Sequence, residues 1–177
     1  MFFTLVGQEI RHRLKSLSTH VYFLIFFGLG LLMMSAMGGA FGESVTIGGT
    51  GPKTNANGPY ALNVVTWFLG LVGLIFTAPF MGQAVYRDYD SGIHPLTFTS
   101  PVTKTEYLGS RFVGSYLAHL YLYAGLTGGL MLGTVMPWVQ ASNFGAFSLA
   151  AYVQPYLVYL LPNLLWAGGL FFVLPAL

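Results

Sequence analysis

After Arg111 the chain contains no Asp, Glu, Lys or Arg, and this absence constrains the fold more than any motif. A formal charge at the centre of a membrane-spanning helix costs about 2.5–3.5 kcal/mol on insertion scales, so long uncharged stretches mark what lipid tolerates. Four stand out, 21–41, 62–85, 112–136 and 153–177, and each exceeds the roughly 20 residues a helix needs to cross about 30 Å of hydrocarbon. Composition agrees, with 55% of residues hydrophobic and 7% charged, against about 25% charged in soluble domains. The expected fold is an all-α integral membrane protein: a multi-span helical bundle behind an N-terminal interfacial helix.

Residues 1–18 form the expected cytoplasmic interfacial helix, and 19–177 the transmembrane domain. Phe3, Val6, Ile10, Leu14 and Leu17 fall on one helical stripe, with Gln8, Arg11, His12 and Lys15 on the other side, the pattern of a helix lying flat in the headgroup region. The apolar run that follows is too long for a cleaved signal peptide, whose core is roughly 7–15 residues. Arg11, Arg13, Lys15, Arg87, Lys104 and Arg111 flank the first span or lie between the second and third, and Lys53 alone sits elsewhere. The positive-inside rule then predicts a cytoplasmic N-terminus and a cytoplasmic 86–111 segment, with 42–61 and 137–152 facing outward. The first outer loop reads as a Gly-, Thr- and Asn-rich mobile connection. The second carries Trp138, Phe144, Phe147 and Tyr152, which predict a segment resting at headgroup level.

The 86–111 segment is the most informative. Gly92 and Pro95 break a continuing helix, and Ser100-Pro101 forces an extended approach. Thr103 followed by Glu106 is a capping box, opening a helix that runs through Arg111 into the third span. Over about 25 residues this pattern resembles the cytoplasmic loop of bacterial ABC-type export permeases. The matching positions are Arg87, Asp88, Gly92, Leu96, Ser100, Pro101, Val102, Thr103, Lys104, Glu106, Leu108 and Arg111, while Ile93, His94 and Pro95 depart from the family pattern. The resemblance implies the transmembrane subunit of an ATP-driven transporter. Its loop would lie in a cleft of a separate ATPase subunit, gripped through Arg87, Asp88, Asp90, Gly92, Pro101, Thr103, Lys104, Glu106 and Arg111. It also implies a homo- or heterodimer of permease halves in the cytoplasmic (inner) membrane. On this reading the chain is not itself an enzyme, and ATP is hydrolysed on the partner. The alternative is a non-transporting membrane anchor or scaffold.

Other candidates carry less. Gly48 to Thr54 superficially resembles a phosphate loop, but Pro52 before Lys53 has no N–H to offer a phosphate. Ser115 and His119, four apart on the third span, share a face as a nucleophile and base would. Without a Gly-x-Ser-x-Gly elbow or an acid in the spans, the expected role is a histidine satisfied by an interhelical hydrogen bond, with path-lining as a further possibility. His12, His20, His94 and His119 are scattered, so no metal site or other cofactor is expected, and a net charge of +2 does not point to nucleic acid. Gly125, Gly129 and Gly133 form a small-residue ridge suited to close packing within the subunit or to a dimer seam, with Gly38 and Gly42 a weaker version on the first span. Pro79, Pro155 and Pro162 predict kinks. Leu177 lies in an apolar run with no basic residue after it, so the sequence reads as one truncated at its C-terminus.

Overall fold

A computed structural model describes residues 1–42, 54–90, 92 and 102–174, with backbone alone for 88–90. The described residues are helical and contain no strand. Lys53, Ile93, His94, Pro95, Leu96, Ser100 and Pro101, and the side chains of Asp88 and Asp90, lie outside this description.

The first helix, α1 (Phe2–Lys15), ends where Ser16 turns extended, and α2 (Leu17–Met37) begins at once. The latter starts four residues before the expected span and ends four residues before it. Its end is set by Gly39, whose φ of +84° is left-handed. Gly39 N–H donates to Ala36 C=O at 3.1 Å and Ala40 N–H to Ser35 C=O at 3.0 Å, the two bonds of a Schellman stop. Next comes α3 (Pro59–Asp90), which carries Pro79 in its interior. The longest packed surface belongs to α4 (Lys104–Gly133), which touches α1, α2, α3 and the last span. That last span is α5 (Leu149–Pro155), a π turn (Tyr156–Leu160) and α6 (Leu161–Val173). Pro155 and Pro162 bracket the π turn, as expected where a missing N–H interrupts the ladder.

Among the described residues three helical segments are long and apolar enough to cross a membrane: Leu17–Met37, Pro59–Arg87 and Leu149–Val173. The expected third span, α4, has 30 residues but is not among them. Its Tyr, Thr and Gly residues with Ser115 and His119 lower its hydropathy, and it is the helix the others surround. Ser115 and His119 have no exposed surface, so α4 can carry polar groups that a lipid-facing helix could not. The outer surface is apolar where the three candidate spans face outward, with Leu24, Trp67, Ile75 and Trp166 each at least half exposed.

The glycine ridge is occupied within the chain. A Cβ at Gly129 would stand 2.1 Å from the Phe27 carbonyl oxygen, and one at Gly133 2.6 Å from Met34 Cβ, while Gly125 meets the Phe23 ring. Gly30 on α2 reciprocates, its Cβ position lying 2.3 Å from the Leu126 carbonyl oxygen. Of the two expected roles, packing inside the subunit is the one observed; α2 covers the ridge and leaves no place for a dimer seam there. Gly38 likewise abuts Val139 and Phe144 of the same chain.

The two connections expected to face outward are tied to each other. Asn57 Nδ2 donates to Gly145 C=O at 2.9 Å and Gly145 N–H returns to Asn57 Oδ1 at 2.7 Å. Ala56 N–H donates to Asn143 C=O at 2.8 Å. Trp138 Nε1 donates to Ser35 Oγ at 3.1 Å. Of the aromatic set expected at headgroup level, Trp138 and Phe147 are exposed, whereas Tyr152 is buried and Phe144 packs on the core. The described end of the first outer loop, 54–58, is therefore pinned by backbone-directed bonds instead of running as an independent connection.

Candidate functional site

The N-terminal helix has three faces, not two. Of the expected stripe, Phe3 and Leu14 are exposed on α1 and Leu17 at the start of α2, whereas Val6 is buried and Ile10 half-buried; Gln8, Arg11, His12 and Lys15 are exposed on the polar side. Val6, Glu9 and Arg13 form a third face buried against the bundle. Gly114 on α4 makes room for it: a Cβ there would come within 2.6 Å of Glu9 Cβ.

Glu9, 1% exposed, is the hub. Its Oε1 accepts from Arg13 Nε at 2.8 Å and Arg87 Nη1 at 3.3 Å, and its Oε2 accepts from Arg87 Nη2 at 2.8 Å. Arg111 Nη1 donates to the same Oε2. One carboxylate thus joins α1, the end of α3 and the start of α4, with a bidentate bond from Arg87. Arg13 also donates from Nη1 to the Phe80 carbonyl at 2.9 Å, and its guanidinium lies 4.4 Å from the Phe80 ring centroid. Burial pulls the Arg13 guanidinium below its ordinary value, and the Glu9 carboxylate opposes that shift.

Arg87 and Arg111, two of the residues that the resemblance implies for partner contact, bond Glu9 and keep side-chain exposures of 28% and 20%. Thr103 and Lys104 remain on the surface. The capping box is present in full: Glu106 N–H donates to Thr103 Oγ1 at 3.3 Å, and Thr103 N–H donates to Glu106 Oε2 at 3.2 Å. The Thr103 bonds, side-chain first and then backbone, hold the Glu106 carboxyl below its ordinary value. Helix α3 continues to Asp90, and Gly92 follows with a left-handed φ of +67°. The described flanks of the 88–103 segment are thus fastened together at Arg87, directly before it, and at Arg111, about two turns into α4.

Deeper in the bundle Ser115 and His119 are both fully buried but do not pair. His119 Nε2 lies 3.3 Å from Thr77 Oγ1 of α3, and Thr77 donates onward to Gly73 C=O at 3.2 Å. The Nε2–H tautomer satisfies this arrangement. Among the described residues Ser115 Oγ and His119 Nδ1 have no hydrogen-bond partner, so the two do not bond each other, and His119 instead meets Thr77 of α3. Two tyrosines clasp α4 to the last span: Tyr116 donates to Leu161 C=O at 3.0 Å and Tyr156 to Leu120 C=O at 2.7 Å.

Sequence reasoning overlooked Glu9. The signal was its spacing of four from Arg13 on a helix otherwise without acids. The class these features define is an α-helical bundle with three segments able to cross a membrane and an ion cluster at one end. No family model, curated protein or solved structure matches the chain.

Proposed function

We propose that the chain is the transmembrane permease subunit of an ATP-driven ABC-type transporter, sited in the cytoplasmic membrane with its N-terminus inside. It would pair with a second permease half and be driven by a separate ATPase subunit that grips residues 88–103. The observation that carries this reading is the Glu9 hub. A lever must be stiff where it enters the bundle, and Glu9 fastens both helices flanking the segment to each other and to α1. A push on the tip then moves three helices as one body, while the capped start of α4 resists fraying. The resemblance of the loop to export permeases supplies the identity of the driver. The partner-facing set is narrower than the sequence implied, because Arg87 and Arg111 hold the lever together while Lys104 stands on the surface.

The test replaces residues 88–103 with a neutral Gly/Ser linker of equal length, keeping Glu9, Arg87 and Arg111, in membranes that also contain the partner. A photo-crosslinker at Lys104 is expected to capture a nucleotide-binding subunit in the unaltered chain, and the linker variant to abolish both that capture and chain-dependent ATP hydrolysis. Hydrolysis unchanged by the linker, with no nucleotide-binding protein captured at Lys104, would instead mark a passive anchor.

A further inference from the structure

Beside the Glu9 hub, α1, α2 and α3 enclose a cleft of about 470 Å³ that opens to the surface. It lies at the junction of the two N-terminal helices, where the extended Ser16 separates them. Arg13, Arg87 and His12 line it together with the hydroxyl and amide groups of Ser18, Thr19 and Gln83. Among the described residues lining it there is no carboxylate. The neighbouring acid, Glu9, has both oxygens occupied by guanidinium bonds and faces the hub. Arg13 is only 5% exposed, so the cleft has a charged wall already desolvated and fixed by Glu9 and the Phe80 carbonyl. The first turn of α2 contains no acid, and its positive end adds to the same field.

Apolar surface follows on two of the helices that line the cleft. Along α2 the next turn below Ser18 and Tyr22 brings Ile25, 38% exposed, and along α3 the turns below Gln83 bring exposed Pro79 and then Ile75, 72% exposed. Helices α2 and α3 touch over a short length only, chiefly where Phe76 meets the Tyr22 and Phe26 rings. Both helices of the α2–α3 seam thus carry exposed apolar residues beyond a basic, donor-rich mouth. Small soluble anions need only the mouth; an amphiphile uses both parts.

We infer that this cleft binds the phosphate of an anionic phospholipid headgroup, with an acyl chain lying in the seam between α2 and α3. The inference shares with the proposed function only the placement of the chain in a membrane, and needs no ATPase. The phosphate would accept from the hydroxyl and amide donors beside the fixed Arg13, and a zwitterionic headgroup would lose the net attraction that an anionic one retains.

The test uses the full chain in detergent, with native mass spectrometry and thermal unfolding as readouts, and dioleoyl phosphatidylglycerol, dioleoyl phosphatidylcholine and inorganic phosphate as probes. Phosphatidylglycerol is expected to be retained and to raise the unfolding temperature, phosphatidylcholine at the same mole fraction to do neither, and phosphate alone to have little effect. Gln83→Glu and Ser18→Asp each place a carboxylate in the mouth at exposed positions outside the hub, and an acid at Ser18 suits the first turn of α2. Each is expected to weaken phosphatidylglycerol binding about tenfold or more while leaving the lipid-free unfolding temperature in place. Equal retention of the two lipids, or phosphatidylglycerol binding unmoved by both variants, would overturn the inference. Stabilisation by inorganic phosphate as large as that by the lipid would assign the cleft to a free anion and overturn the lipid reading. A chain soluble without detergent would remove the membrane placement itself, whereas loss of ATPase coupling with lipid binding intact would count only against the permease reading.

Discussion

The two ends of the bundle are held by opposite means. At one end a single carboxylate, Glu9, gathers three arginines from three helices, and nearly every bond is charged and converges on two oxygens. At the other, neutral side chains clip one loop to another through backbone groups: Asn57 to Gly145, Trp138 to Ser35, Asn143 to the Gly38 carbonyl. The neutral end spreads its bonds over many pairs, so losing one leaves the rest in place. The charged end has one hub, so losing it leaves the buried Arg13 guanidinium without its carboxylate. A hub also lets three helices move together, which a series of independent clips does not do.

The largest single effect on stability should therefore come from Glu9→Gln, which is expected to cost about 3–5 kcal/mol because it leaves the buried Arg13 guanidinium without its carboxylate. Thermal unfolding in detergent measures it, and a loss no greater than that at the neutral end would remove the distinction between the two ends. Next comes Gly129→Val, in which branched carbons would meet the Phe27 carbonyl and the backbone of Leu31. Overpacking of this kind costs about 1–3 kcal/mol or more, and cross-linking rates between cysteines placed on α2 and α4 should fall with it. At the neutral end Asn57→Ala removes both bonds to Gly145, for an expected loss of about 1–2 kcal/mol. Hydrogen exchange should then rise at 54–58 and around Gly145 while protection at the hub stays unchanged.

The smallest effect belongs to the capping box. The Glu106 carboxyl is held below its ordinary value by Thr103, so its contribution is present above the unfolded carboxylate range and is lost as pH falls through the depressed folded value. Thr103→Val should abolish this acid-side change, read as exchange of the first α4 amides, and should shift global stability less than the other substitutions.

The helices, the capping box and the close-packing glycines are legible locally, because each depends on hydropathy, caps or spacing within a turn or two. Thr103 and Glu106 are three residues apart, and their geometry follows from that spacing. The hub is not local. Arg87 lies 78 residues from Glu9 and Arg111 lies 102 away, and no periodicity specifies such a meeting. Of the stripe Phe3, Val6, Ile10, Leu14 and Leu17, only Phe3 and Leu14 mark the outward face of α1, while Val6 joins Glu9 and Arg13 on a buried face that the two-sided pattern does not reveal. Gly129 similarly announces close approach without saying to what; only the reciprocal Gly30 identifies α2 as the neighbour. The α4 helix shows the converse, for uncharged length suggests a lipid-facing span while its interior position lets it carry Ser115 and His119.

The account depends most on which side of the membrane the charged end occupies. The chain has no cysteine, and Lys104 is exposed, so Lys104→Cys gives a single-thiol reporter. A membrane-impermeant maleimide should label it in inside-out vesicles and leave it unlabelled in intact cells. Labelling from the outside of intact cells would contradict the account, because an ATPase in the cytoplasm could not reach the segment it is proposed to drive.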